Sequence, residues 1–258
     1  MSFQKKSMQY VRLGSSGLKV SRIILETMSY GFPEWPKWVL GEEEGVKHIK
    51  LAYEMGIQTF GTANVYSNGL SEVILGNAIK ELNLTRDEVV VMTKVCFNVG
   101  HRIDEIVLRG GGYPNEHGLS RKRLQLDYVD VLQCHRFDYN TPIAETMQVL
   151  HNVIKAGYAR YIGMSSCYAY QGEREMMPAL KMFGFGSIPW FPLARGFLTR
   201  PLNQQQIKRG QTDCAPVVGT TNLNNLEELA DAVNTKLDEE EIKYLKEPYA
   251  PQAVFGHS

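Results

Sequence analysis

The sequence predicts an α/β protein built on a parallel sheet, and three observations carry that prediction. Short apolar runs favouring β-structure alternate along the chain with longer amphipathic stretches that favour helix, the order that repeated βα units produce. The length, 258 residues, suits an α/β barrel as one unit, so a single domain over residues 1–258 is expected. The conspicuous polar residues fall just after the apolar runs, where the loops at the C-terminal end of a parallel sheet build a site.

Seven segments read as strands: 22–25, 57–60, 89–94, 128–133, 161–164, 186–190 and 216–218. The first and third hold the clearest apolar runs, Ile23-Ile24-Leu25 and Val89-Val90-Val91-Met92. Helices are expected at 42–55, 71–82, 142–156, 173–182, 222–233 and 238–245. Thr141 is a candidate cap ahead of Pro142 at a first helical position, and Gly157 a helix stop after Ala156. The stretch 95–120, with Arg109-Gly110-Gly111-Gly112-Tyr113-Pro114 at its centre, has little periodicity and reads as a long surface loop over the mouth of the sheet. No GK[ST] follows those glycines, which argues against a phosphate loop.

Composition removes several classes of function. The 28 basic residues balance 28 acidic ones, so there is no electrostatic footprint for nucleic acid. With 43% hydrophobic and 22% charged residues the chain is expected to be soluble and globular. No apolar run approaches the ~18 residues of a membrane span, and MSFQKKSMQY does not read as a secretory signal, so a cytoplasmic address is expected. Cys96, Cys134, Cys167 and Cys214 form no CxxC pair and read as free thiols, and the six histidines lack ligand spacing, so no metal is expected.

The polar residues directly after the strands are the informative ones. Gly61 and Tyr66 come after the second, Lys94 closes the third, His135 comes after the fourth, Ser165 and Ser166 after the fifth, and Gly219-Thr220-Thr221 after the last. In a barrel all of these open onto one face.

Six segments carry a family resemblance: FGTANVYSNGLSE (60–72), VVVMTK (89–94), LDYVDVLQCHRFD (126–138), YARYIGMSS (158–166), IPWFPLARGFL (188–198) and APVVGTTNLNNLEEL (215–229). They resemble the aldo-keto reductases, in the branch that includes the potassium-channel β subunits and many fungal reductases. The likeness runs from about Tyr10 to His257, in the family's order. It implies a (β/α)8 TIM barrel that binds NADPH in an extended pose without a Rossmann fold and reduces aldehydes or ketones to alcohols. The absence of a GxGxxG after any strand fits.

By that resemblance Tyr66 is the general acid that protonates a small carbonyl substrate as hydride arrives. A free tyrosine has a pKa of about 10, so a cation must stabilise its phenolate, and Lys94 matches that cation. His135 matches the residue that orients the carbonyl and donates a hydrogen bond to it. For NADP, Ser165 and Ser166 match the carboxamide end, and Leu193, Arg195 and Gly196 the pyrophosphate stretch. Gly219, Thr221, Asn225 and Glu228 match the adenosine end, before a helix N-terminus that favours phosphate. No Lys or Arg lies between Gly219 and Leu229 to clamp the 2′-phosphate.

Two departures stand out. Where the family pattern reads FDTA this chain has Gly61, which removes the carboxylate that pairs with the lysine and implies a weakened catalyst. Glu26 replaces a glycine near the barrel mouth, where a buried carboxylate is costly unless it stays protonated or finds Lys94, and it is a candidate stand-in. The barrel also reads as incomplete, with about seven strands and several helices missing. Between Ser166 and the 186–190 segment there is room for one helix only, so the sixth strand is expected to be absent. Gly118 to Lys122 runs directly into Arg123 to Asp127 where the family has most of a helix, and 201–213 is a glutamine-rich polar stretch where another is expected. Losses at element boundaries read as omitted coding segments, from an aberrant splice form or a faulty gene model. Gly61 and the lost strand favour an alternative, a non-catalytic nucleotide-binding or regulatory protein or an inactive remnant, while Tyr66, Lys94 and His135 favour an enzyme.

Overall fold

A computed structural model describes residues 8–33, 37–97, 99–100, 113–165, 176–189 and 216–247. An antiparallel hairpin of β1 (Tyr10–Arg12) and β2 (Lys19–Ser21) comes first. The main sheet has six parallel strands: β3 (Ile24–Glu26), β4 (Thr59–Gly61), β5 (Val90–Val95), β6 (Val129–Cys134), β7 (Ala159–Met164) and β8 (Val217–Val218). Its order is β7-β6-β5-β4-β3-β8, so the last strand returns to pair beside β3. That return is how a barrel closes. Among the described residues, β7 and β8 remain the two edges of the sheet.

Side chains alternate between two faces, as strand geometry requires. Leu25, Phe60, Val91, Leu132 and Val218 point outward into the larger core, where Ile49 and Ala52 of α1 (Glu42–Glu54) and Ile74 and Ala78 of α2 (Leu70–Glu81) cover them. Ile24, Met92, Val131 and Val217 point inward and pack with Val20 of the hairpin and the partly buried Leu13, Leu18, Tyr161 and Ile188. The same alternation carries inward the residues two positions further on: Glu26, Lys94, Gln133 and Gly219. The inner face is thus apolar at the hairpin end and polar at the C-terminal end of the strands.

The remaining helices are α3 (Tyr113–Leu124), α4 (Ile143–Lys155), α5 (Met177–Phe183), α6 (Leu223–Asp231) and α7 (Glu239–Lys246). Asp238 and Glu241 form a reciprocal capping box at the start of α7. No helix among the described residues is long and apolar enough to cross a membrane.

Several sequence expectations need correction. The 186–190 segment is not one of the sheet's strands over its described part, 186–189. Pro189 accepts one bond from the Val217 N–H but has no N–H of its own to extend a ladder. The hairpin before residue 22 went unforeseen, its strands being three residues each. The expected loop over 95–120 ends in α3, which runs through the junction where a helix seemed deleted. Pro114 near its start and Gly118 within it mask the helical pattern, since both have poor interior propensity. α3 reaches α2 at Gly76, where a Cβ would stand 2.5 Å from the Leu124 carbonyl oxygen, so glycine there permits the contact. Thr141 does not cap α4. Its hydroxyl donates to Asp138 Oδ2 at 2.6 Å, the Asn140 N–H donates to Oδ1, and the helix begins after Pro142. Gly157 does stop α4, at φ 75°. The stretch 201–213 and the glycines 110–112 lie outside the described residues.

Candidate active site

Three elements bring Tyr66, Lys94 and His135 together at the C-terminal end of the sheet, each with only 8% of its surface exposed. Lys94 is on β5, facing inward. His135 comes directly after β6, held by its backbone N–H donating to the Val95 carbonyl at 2.9 Å. Tyr66 opens a 3₁₀ turn, Tyr66–Gly69, in which Ser67 and Asn68 adopt φ of 46° and 53°. Left-handed backbone at two successive non-glycine residues is strained, and such strain persists only where surroundings enforce it. Here the enforcement is visible. The Ser67 hydroxyl oxygen accepts from the Phe32 N–H at 3.1 Å, and Asn68 exchanges hydrogen bonds with the backbone of Gly100. Below the turn, Ser71 donates to the Thr27 carbonyl at 2.7 Å, so the hydroxyls of Thr27 and Thr62 donate to Ser71. That buried cluster ties together the chain after β3, the chain after β4 and the start of α2.

The ammonium of Lys94 is the centre of the site. Its Nζ lies 3.3 Å from the Tyr66 hydroxyl, 2.9 Å from the Thr62 carbonyl oxygen and 3.0 Å from each carboxylate oxygen of Glu26. The inference that Lys94 loses its partner with Gly61 is therefore overturned, because the carboxylate arrives from β3 instead. Lys94 donates to the tyrosine oxygen, so its ammonium stands where it can compensate negative charge on that oxygen. The Lys94 ammonium also lies 5.1 Å from the centre of the Tyr66 ring.

The electrostatics separate the two remaining groups. Burial, then the Glu26 charge and a hydrogen bond with Glu26, hold Tyr66 well above its ordinary pKa, with Arg136 opposing. Burial, then the charges of Lys94 and Arg136, push His135 down to about 3, so its imidazole is neutral at pH 7. Its ring stands edge-on to Tyr66 at 5.8 Å between centroids and is packed by Phe97 at 5.5 Å. Its Nδ1 is buried without a hydrogen-bond partner among the described residues.

The expected cofactor residues are less gathered. Ser165 comes directly after β7, its backbone N–H donating to the Cys134 carbonyl at 2.8 Å. Gly219, Thr221, Asn225 and Glu228 are exposed around the start of α6, where the Asn222 side chain accepts from the N–H groups of Asn224 and Asn225. Ser166, Leu193, Arg195 and Gly196 lie outside the described residues. Sequence reasoning passed over Gln133, buried two positions before His135 on the same inward face. Its Cγ is 3.2 Å from where a Cβ on Gly163 would stand. The period-2 pattern of β6 was the signal that could have found it. Glu72 was also missed. It is wholly buried, accepting from Thr93 at 2.6 Å and pairing with Arg123 at 2.6 Å.

The family model for the aldo/keto reductases matches residues 22–174. A versiconal hemiacetal acetate reductase from Aspergillus parasiticus is 35% identical over 338 aligned positions, covering 96% of this chain and 98% of the relative. A putative aryl-alcohol dehydrogenase, AAD16, from Saccharomyces cerevisiae is 34% identical, covering 94% and 97%. An alignment of 338 positions is longer than a chain of 258 residues by 80, so relatives carry at least that many residues with no counterpart here. The losses are internal, because both chains are spanned almost completely. The fold agrees with the holo form of aldo-keto reductase AKR11C1 from Bacillus halodurans at a TM-score of 0.77, covering 97% of this chain and 99% of that one at 22% identity. The architecture is thus an incomplete (β/α)8 barrel, and the chain belongs to the aldo/keto reductase family.

Proposed function

We propose that this chain is an NADP(H)-dependent oxidoreductase that reduces a small aldehyde or ketone to an alcohol, with Tyr66 as general acid. Membership of the family supports oxidoreductase chemistry in general. The observation that carries the finer reading is the contact of Lys94 Nζ with the Tyr66 hydroxyl at 3.3 Å between two buried side chains. Reduced NADP, when bound, supplies the hydride. The chain's own residues do the rest. Tyr66 gives its hydroxyl proton to the carbonyl oxygen, and the adjacent ammonium compensates the phenolate left behind. His135, neutral, offers one ring N–H to the same oxygen and fixes the carbonyl's direction.

The residues present fit this cofactor at its two ends. Ser165 stands at the rim beside the catalytic group. Gly219 and Thr221 are exposed just before the N-terminus of α6, whose dipole favours a phosphate. Ser166, Leu193, Arg195 and Gly196 complete the proposed set. Activity is expected to be weaker than that of an intact family member, since the relatives carry residues this chain lacks. The reading includes a cytoplasmic address and, on the balanced charge, neither nucleic acid nor membrane as partner.

The test is a fluorescence titration with NADPH followed by an aromatic aldehyde in the same cuvette. Binding with turnover that Tyr66→Phe abolishes is the expected result. Binding without turnover overturns the enzymatic reading in favour of a nucleotide-binding regulatory protein, and absence of binding overturns both.

A further inference from the structure

We propose that Glu26 supplies, from β3, the carboxylate that holds Lys94 against Tyr66, and that Gly61 leaves the slot that admits it. This rests on the reductase reading above and names a positioning residue for it.

The register places Glu26 directly beside Gly61 on the neighbouring parallel strand. A Cβ built on Gly61 would stand 3.1 Å from Glu26 Oε2, so the carboxylate occupies the space into which a side chain at 61 would grow. Glycine at 61 lets the glutamate fit where a larger neighbour would crowd its carboxylate. Adjacent strands lie about 4.8 Å apart, a gap that the longer glutamate side chain helps to span.

The result is a saturated ammonium. Lys94 has three N–H donors and four acceptors within 3.3 Å, so the two carboxylate oxygens share one donor while Thr62 and Tyr66 take the others. With the side chains of Lys94 and Glu26 only 10% and 13% exposed, water does not easily replace the carboxylate. Losing it frees one direction of the ammonium and lets Nζ drift from the tyrosine oxygen.

The experiment compares Glu26→Gly, Glu26→Gln, Gly61→Asp and the double variant Glu26→Gly/Gly61→Asp, each against its own Tyr66→Phe background. Turnover uses NADPH and an aromatic aldehyde, and Tyr66 ionisation is read by absorbance at about 295 nm, where phenolate absorbs. Misplacement by about 1 Å can cost on the order of 10²-fold, so E26G is expected to lose about that much in kcat with NADPH binding retained, and to melt lower than E26Q because it leaves the buried Lys94 ammonium without any partner at position 26. G61D is expected to lose activity by crowding Glu26, and the double variant to regain at least tenfold over either single. The groups facing Tyr66 are Lys94, Glu26, His135 and Arg136. E26G takes away both the charge and the hydrogen bond of Glu26 and E26Q takes away the charge, so in both Tyr66 ionises at lower pH, further in E26G. The alkaline loss of reduction moves down with it, and the double variant restores both. Unchanged kcat together with unchanged Tyr66 ionisation in E26G and E26Q overturns the proposal, as does a double variant no better than either single. If the unaltered protein binds NADPH without turnover while Tyr66 ionisation still shifts in E26G and returns in the double, the reductase reading fails and the carboxylate assignment stands.

Discussion

The Glu72–Arg123 pair allows a sharp test of how the turn carrying Tyr66 is supported. Glu72 of α2 is wholly buried, and Arg123 of α3 has 18% of its side chain exposed, with Nε donating to Glu72 Oε2 at 2.6 Å. The arginine stem also lies over the turn, since a Cβ on Gly69 would stand 2.8 Å from Arg123 Cδ. Arg123→Leu keeps an apolar stem there but leaves the Glu72 carboxylate with the Thr93 hydroxyl, which donates to it at 2.6 Å. Breaking a buried pair from one side costs about 3–5 kcal/mol. At about 2–4 °C per kcal/mol for a chain of this size, melting should fall by roughly 6–20 °C. Glu72→Leu with Arg123→Leu removes both charges and, beyond the Arg123 contact with Ser120 that R123L already removes, strands the Thr93 hydroxyl, worth about 1–3 kcal/mol, so the double variant should be more stable than R123L alone. Differential scanning calorimetry on the four members of the cycle gives the coupling directly. An R123L variant within about 1 kcal/mol of the unaltered protein, or a double variant less stable than the single, refutes the argument.

Backbone and charge give two more expected outcomes. Gly157 sits at φ 75° with nothing within 4 Å of a Cβ, so Gly157→Ala meets backbone strain alone and should cost about 1–2 kcal/mol in chemical denaturation, read from the shift in midpoint. An unchanged midpoint would show that α4 does not need the left-handed stop. His135 is held down to about 3 in the folded chain, against about 6.5 when unfolded. Between those values the unfolded chain binds a proton that the folded one does not, so His135 lowers stability as pH falls through that window. His135→Asn should therefore lose less stability between pH 7 and pH 5 than the unaltered protein in urea titrations. Equal losses would mean that His135 charges within the fold.

Much of the barrel was legible because strand segments such as Val89-Val90-Val91-Met92 announce themselves by composition, and the residues after them are local neighbours in the chain. The grouping of Tyr66, Lys94 and His135 was legible for the same reason, each standing at or after the C-terminal end of the strand of its own βα unit. The hairpin was not, because three-residue strands give too short an alternation to stand out. Helix α3 was hidden by Pro114 and Gly118, whose propensities are overridden by packing of its end against Gly76. The Thr141 cap failed for a different reason. Asp138 accepts from the threonine hydroxyl and holds it in the loop, and the helix starts one residue later, after Pro142, so the threonine oxygen is not at the capping position.

By itself the sequence determined the α/β class and the order of βα units through composition and period, and through its family resemblance it offered Tyr66, Lys94 and His135 as candidates and marked the missing aspartate of the FDTA pattern. Both kinds of signal are local in the chain, which a one-dimensional reading holds in full. Only the tertiary structure decided that Lys94 keeps a carboxylate partner. Glu26 and Gly61 are 35 residues apart in the chain and side by side on adjacent strands, so one position can lose a carboxylate and its neighbour supply it. A parallel sheet sets that adjacency through its register.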